Sequence, residues 1–205
     1  MCDAAIELLG EGGARGLSHP KVDQRAGVPA GTTSFYYRTR HALVHALAER
    51  LTDLDSADLN RMTELRNPDE SCVFSGTAGL ASMVMISAQE PWLTRTRARY
   101  ELLLQAGRDP ELASTLDAFA SRMADLARAI VSEWHPSTAD ADPALIDDQA
   151  SATLAFLNGV MMSFVHGTPV VRDAEHLDYL IQAVLAGITR RPSQSPIDET
   201  SSGSK

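Results

Sequence analysis

The chain has 205 residues, enough for one large domain or for a small one joined to a medium one. Apolar residues at 44% and charged residues at 22% fit a packed core under a soluble surface, and a net charge of −9 excludes nucleic-acid binding over the whole surface. Two cysteines, Cys2 and Cys72, lack C-x-x-C spacing and a nearby histidine pattern, which argues against a disulfide framework or a zinc site and favours a reducing cytoplasm. No signal peptide opens the chain, and the most apolar run, Leu154–Val165, is too short to span a membrane and is broken by Asn158 and Ser163. A cytoplasmic protein with no membrane partner is expected.

Period-3.6 patterning recurs throughout and period-two alternation never persists, so the chain reads as all-α with about nine helices. Residues 3–9, "DAAIELL", form a first helix that the glycines of "GEGGARG" are expected to stop. Those glycines fail the dinucleotide fingerprint, because Arg15 stands where the third glycine belongs and a helix, not a strand, precedes them. Ser18 suits an N-cap for a helix over "HPKVDQRA", with Gly27 as its left-handed C′ residue. "VPAG" turns the chain, and "TTSFYY" forms a second short helix. Leu43, Leu47, Leu51 and Leu54 mark the next helix, and Pro91 opens one that stops at Gly107. Asp109-Pro110 starts a helix with the stripe Leu112, Leu116, Phe119, Met123, Leu126, Ile130, Trp134. Asp142-Pro143 starts another that runs to about His166, and Asp173 precedes the stripe Leu177 to Ile188. From Pro192 the Ser/Pro/Gly-rich end carries too little apolar surface to order itself. Three units are expected: 1–46, a helix-turn-helix domain; 47–190, a helical body; and 191–205, a disordered tail.

Two short helices joined by a glycine-containing turn are the helix-turn-helix plan, whose second helix enters the DNA major groove. Ala14–His45 carries five bases (Arg15, Lys21, Arg25, Arg38, Arg40) against one acid, Asp23, a basic island on an acidic chain. It suits either a phosphate-facing patch that includes Lys21 or a solvated basic face. A groove-lying helix needs small residues where the backbone nears DNA, which Ala30 and Gly31 supply. Short polar groups near bases are Thr32, Thr33 and Ser34, and Tyr36, Tyr37, Arg38 and Arg40 can reach phosphates. Phe35 is expected to face inward and hold the helix on its scaffold. The alternative puts all three aromatics in the core. His41 and His45, four apart on one helical face, have zinc-compatible spacing, but two ligands without a nearby third make a weak site, so no metal is expected.

"AAIELLGEGGARGLS" and "RAGVPAGTTSFYYRTRHAL", with the leucine-rich helix that follows, resemble the N-terminal domain of the TetR family of transcriptional regulators. The resemblance covers roughly Ala4 to Leu47; the rest agrees only in helical pattern and spacing. It implies DNA contacts at Thr32, Ser34, Tyr36 and Arg40, close approach at Gly31, and scaffold roles for Phe35 and Leu43. Pro29 replaces the usual recognition-helix cap, Ala30 a frequent basic residue, Ser34 an aromatic, and Asp23 a small apolar residue. The basic arm expected ahead of the first helix is missing, which implies a truncated start or weak minor-groove contacts.

The apolar helix around Leu154–Val165 needs cover on both sides, and the last stripe is its natural companion. In the resembled family the last two long helices form a two-fold four-helix bundle, which implies a homodimer here. The family also implies a pocket for an unknown small-molecule effector. Candidates for its lining are Met83, Met85, Trp92, Tyr100, Leu104, Phe119, Met123, Phe156 and Met162, with Asn158 and His166 as polar candidates, though ordinary core is the competing role for each. Arg97 and Arg99 read as surface salt-bridge formers, with one able to turn inward to a carboxylate. The expected function is a ligand-responsive regulator of a double-stranded, pseudo-palindromic operator, without a cofactor and in the repressing sense. The alternatives are a protein–protein adaptor with a degenerate helix-turn-helix or a helical enzyme, and no familiar catalytic motif appears in supporting context.

Overall fold

The computed structural model describes residues 1–64, 76–135 and 142–189. Among these residues there are nine helices and no strand: α1 (Cys2–Gly16), α2 (His19–Ala26), α3 (Thr32–Tyr36), α4 (Arg40–Glu64), α5 (Gly76–Ile86), α6 (Trp92–Ala106), α7 (Pro110–Trp134), α8 (Pro143–Val165) and α9 (Ala174–Gly187). No described helix is long and apolar enough to cross a membrane. The expected tail at 191–205 and Cys72 lie outside the described residues.

The aspartate-led starts form as the sequence dictates. Asp109 accepts the Leu112 N–H at 3.1 Å, Asp142 that of Ala144 at 3.1 Å, and Asp173 that of His176 at 2.8 Å, so each satisfies an otherwise unpaired first-turn donor. The glycine cluster breaks the first helix as expected, at Gly13 (φ 60°, ψ −163°), beyond which a short helical stretch runs to Gly16. One local expectation needs correction. Ser18 has the extended backbone of an N-cap, but its side chain makes no capping bond.

The apolar faces meet in two clusters. One joins Ile6 and Leu9 of α1, Leu17, Val22 of α2, and Leu43, Leu47 and Leu51 of α4 to Leu102 of α6 and Leu112 of α7. The other joins Leu80 and Val84 of α5, Ile130 and Val131 of α7, Leu157, Val160 and Phe164 of α8, and Leu177, Ile181 and Leu185 of α9. Each fully buried leucine contributes about 1.5–3 kcal/mol of transfer free energy. Because α6 and α7 enter the first cluster, the front helices are packed onto the body. Gly10 marks the closest approach: a Cβ there would lie 2.3 Å from the Thr94 carbonyl oxygen, so only glycine lets α1 seat against α6. The expected division at 46/47 falls inside α4, which both units share.

α8 buries Leu157, Val160 and Phe164 while Ala155, Asn158 and Gly159 stay exposed. Gln149, buried on the same helix, donates to the Leu185 and Ile188 carbonyls at 2.9 and 3.1 Å and so caps the end of α9.

Candidate nucleic-acid interface and ligand cavity

The front turn is built by a helix stop and a helix start that share one carboxylate. Gly27 (φ 66°) ends α2, and the N–H groups of Gly27 and Val28 return to the Gln24 and Asp23 carbonyls. Gly31, at φ 90°, is the N-cap of α3, a conformation costly for a residue with a Cβ. It has no side chain to cap with. Asp23, from α2, supplies the acceptor: Oδ2 takes the Gly31 N–H at 2.7 Å, and Oδ1 takes the Thr33 N–H at 2.7 Å and the Thr33 hydroxyl at 2.5 Å. The cap absent at Pro29 is therefore replaced from the preceding helix. This explains why a charged residue stands at 23, where it is 3% exposed. The Thr33 hydroxyl, followed by the two N–H donors, holds the Asp23 carboxyl below its ordinary value.

This cap fixes the rotation of α3. Thr33 and Tyr37, four apart, face the scaffold: Thr33 is fully buried, and the half-buried Tyr37 hydroxyl lies 3.3 Å from Cys2 Sγ. That hydrogen bond and burial push the Tyr37 phenol up to about 12. Thr33 therefore cannot touch bases, and Tyr37 is engaged away from phosphate; both expectations are corrected. Phe35 is corrected in the opposite sense. It is 77% exposed, with Tyr36 at 64%, and their rings meet edge to face at 5.2 Å. Ala30, Gly31, Ser34, Arg38, Arg40 and Lys21 are exposed, and Thr32 is half-buried with its hydroxyl donating to the Pro29 carbonyl at 2.6 Å. Arg40 also has a structural task, donating to the Leu17 and Ala14 carbonyls at 2.9 and 2.7 Å and tying α4 to the end of α1. Arg25 leaves the basic island, since Glu7 and Glu11 hold its guanidinium at 3.0 and 2.7 Å.

The body contains a cavity of about 350 Å³ between α4, α5, α6, α7 and α8, within the range of small-molecule sites. Of the expected lining, Met83, Trp92, Phe119, Met123 and Asn158 are on its wall. Tyr100, Leu104, Phe156, Met162 and His166 are not. Leu104 is 75% exposed while Leu103 lines the cavity, and Met161 takes the place expected of Met162, each a shift of one helical position. Phe156 and Met85 pack on the body core. Tyr100 donates its hydroxyl to the Asn158 carbonyl at 2.9 Å, bracing α6 against α8, and its burial raises the phenol. His166 is exposed past the end of α8.

Asn158 on this wall and an arginine turned inward to a carboxylate were expected, but Asp55, Asp58 and Arg95 were not. Arg99 turns inward and places Nε and Nη2 3.0 and 2.5 Å from Asp55 Oδ2, its guanidinium lying 5.7 Å from the Phe119 ring centre. Asp58 Oδ2 accepts from Arg95 at 2.8 Å and from the Trp92 indole at 3.1 Å, and Arg61 pairs with its other oxygen. Burial raises the Asp55 carboxyl above its ordinary value despite Arg99 beside it. Arg97 instead stays at the surface with Glu90 at 3.4 Å. The acidic residues of α4 carried the available signal: Asp55 and Asp58 sit three apart beside Leu51 and Leu59, on a stripe that is otherwise core.

The expectation that His41 and His45 lack a nearby third ligand is overturned. Asp109 and Glu111, from the start of α7, stand beside them.

A search of the curated proteins finds no match. Among solved structures, a transcriptional regulator from Rhodococcus sp. Rha1 is 18% identical, with 91% of this chain and 92% of that one covered and a TM-score of 0.68. The multidrug binding protein EbrR complexed with proflavin is 24% identical, covering 89% of this chain and 96% of that one, TM-score 0.59. A TetR family member from Streptomyces coelicolor A3 is 26% identical over 89% and 94% of the two chains, TM-score 0.61. The family model of the tetracyclin repressor-like C-terminal domain matches residues 76–191, which hold α5 to α9 and so every helix around the cavity except α4. More than half of the chain fits that model, and the front turn lies ahead of it: the chain belongs to the tetracyclin repressor-like, or TetR, family of transcriptional regulators.

Proposed function

We propose that the protein is a homodimeric DNA-binding regulator whose operator affinity is lowered by a small molecule held in the α4–α8 cavity. One observation carries this reading. The first turn of α4 follows the recognition helix directly, and its middle turns supply Leu51, Asp55, Asp58 and Leu59 to the cavity wall. Arg40 and Asp55 are about 22 Å apart along one rigid helix, so a ligand that shifts the wall also shifts the DNA-facing end. A ligand that binds one arrangement more tightly moves the population toward it, and DNA moves it back.

In this reading Ser34, Phe35 and Tyr36 face the major groove, with Arg38, Arg40 and Lys21 at phosphates and Ala30 and Gly31 at the closest backbone approach. Phe35 lacks cover in the free chain, and thymine methyl groups are its natural apolar partner. The exposed small residues Ala155 and Gly159 of α8 and Ala183 and Ala186 of α9, beside Tyr179 at 68% exposure, suit close helix packing against a second copy. Two heads about one DNA turn apart would then read two half-sites. The cavity suits an apolar, aromatic effector with one cationic or hydrogen-bonding group directed at Asp55 or Asp58. EbrR, described as a multidrug binding protein and complexed with proflavin, supports that class.

The test is fluorescence anisotropy of the purified chain on duplexes from the region beside its own gene, with salt varied. The reading expects saturable binding to a pseudo-palindrome that weakens steeply with salt and falls by roughly 10- to 100-fold in Phe35→Ala/Tyr36→Ala. Salt-independent or absent binding would contradict it, and so would full retention in that variant.

A further inference from the structure

The His41–His45 pair lies on the first turns of α4, outside both the recognition helix and the cavity wall. The two rings stack with centres 4.2 Å apart at a tilt of 32°, and both Nε2 atoms lie 3.1 Å from one atom, Asp109 Oδ2. Asp109 Oδ1 is already used by the Leu112 N–H, which fixes the carboxylate and leaves Oδ2 to the imidazoles. The Glu111 carboxylate completes the group, with a ligand atom of His41, His45 and Glu111 all within 4.8 Å of one another.

We infer that His41, His45 and Glu111, with the Asp109 carboxylate beside both imidazoles, form a binding site for a divalent transition metal of the zinc class, joining the start of α4 to the start of α7. Bonds of 2.0–2.2 Å in a tetrahedron place ligand atoms about 3.3 Å apart, close to the 3.1 Å that separates each Nε2 from Asp109 Oδ2. Two neutral imidazoles with two carboxylates carry charge −2, which a dication balances, and imidazole with carboxylate is a donor set zinc accepts. One carboxylate oxygen faces both ring nitrogens, hydrogen-bonded to His45 and in close contact with His41, so a metal held by the imidazoles would replace that crowded arrangement. The site has an entry path, because the His41 side chain is 61% exposed, while His45 at 13% and Asp109 at 23% supply its ordered floor. Occupancy cross-links the helix that follows the DNA-facing turn to the body and fixes that junction.

The experiment uses the full chain after dialysis against a chelator. Zinc is titrated in competition with a chromophoric chelator, and cobalt is added separately for its visible absorption. The expected results are one saturating equivalent per chain, the intense absorption of tetrahedral cobalt, and a raised Tm with zinc. His41→Ala, an exposed change that the fold tolerates, and Glu111→Gln, which keeps the helix start, each weaken binding by at least about tenfold and abolish the Tm rise. Cys2→Ser and His166→Ala retain wild-type binding. A helical spectrum unchanged from wild type establishes that the variants are folded. Absence of a saturating equivalent, or uptake that survives both His41→Ala and Glu111→Gln, overturns the site.

Discussion

The turn between α2 and α3, which we propose faces DNA, and the cavity each depend on an aspartate, and the two behave in opposite ways. Asp23 sits among donors that want a negative charge: two backbone N–H groups and a hydroxyl converge on it, and its carboxyl is held low. Asp55 sits in an apolar wall where burial outweighs its arginine, and its carboxyl is held high. The first carboxylate is part of the scaffold and fixes the rotation of a five-residue helix. The second is a buried ion pair that adds little to stability and presents a charged group to whatever enters the cavity. Thus the head is organised by a carboxylate capped with neutral donors, whereas the cavity holds desolvated ion pairs beside open space.

Breaking the Asp55–Arg99 pair from one side is the harshest test of that contrast. Arg99→Ala leaves Asp55 buried without its partner and should lower unfolding free energy by about 3–5 kcal/mol in a urea titration. Asp55→Leu with Arg99→Met should recover most of that loss, because both charges leave together. If the double variant is as unstable as the single, the pair is a structural support like the Asp23 cap.

Next in size is the DNA face. Phe35→Ala/Tyr36→Ala removes two exposed side chains, so Tm should hardly move while operator affinity falls roughly 10- to 100-fold in anisotropy titrations. A large fall in Tm would instead return Phe35 to the scaffold.

The pH dependence sharpens the comparison further, since the two aspartates carry opposite signs. With its folded value depressed, Asp23 contributes stability above the ordinary value of 3.8, and that contribution is lost as pH falls below it. With its folded value raised, Asp55 does the reverse: stability drops as pH rises from 3.8 through the folded value, because ionisation then costs more in the folded chain. Asp23→Asn should therefore remove the acid-side loss and reduce DNA affinity several-fold, since an amide turns donors toward the Gly31 or Thr33 N–H. Asp55→Asn should remove the decline above 3.8. Both are read from urea midpoints across pH. The smallest effect is expected for Arg25→Ala, whose partners Glu7 and Glu11 are solvent-exposed; Tm and DNA affinity should stay close to wild type.

Much of the fold was legible because its punctuation is local. Asp109-Pro110, Asp142-Pro143 and Asp173 mark their helices within a few residues, and Gly27 ends α2 where the turn pattern puts it. The recognition turn was legible in place but not in rotation. A five-residue helix has little period to read, and Asp23, eight to ten residues away, decides that Thr33 faces in and Phe35 out. The cavity was half legible for a similar reason. Spacing shows which residues share a face, not which faces leave a gap, so Leu104 and Met162 were expected where Leu103 and Met161 stand. Asp109 was read as a cap, and it is one; that its second oxygen faces two histidines 64 and 68 residues earlier is a tertiary fact without a local sign.

The central claim, that cavity and DNA face exchange free energy through α4, is tested most directly by one linked titration. Operator affinity is measured by anisotropy with and without a saturating aromatic cation such as proflavin, in wild type and in Asp55→Asn/Asp58→Asn. The account predicts weaker DNA binding in the presence of the cation, and the reciprocal loss of cation affinity with DNA bound, both diminished in the variant. Cation binding that saturates the wild-type cavity while leaving DNA affinity unchanged would contradict it.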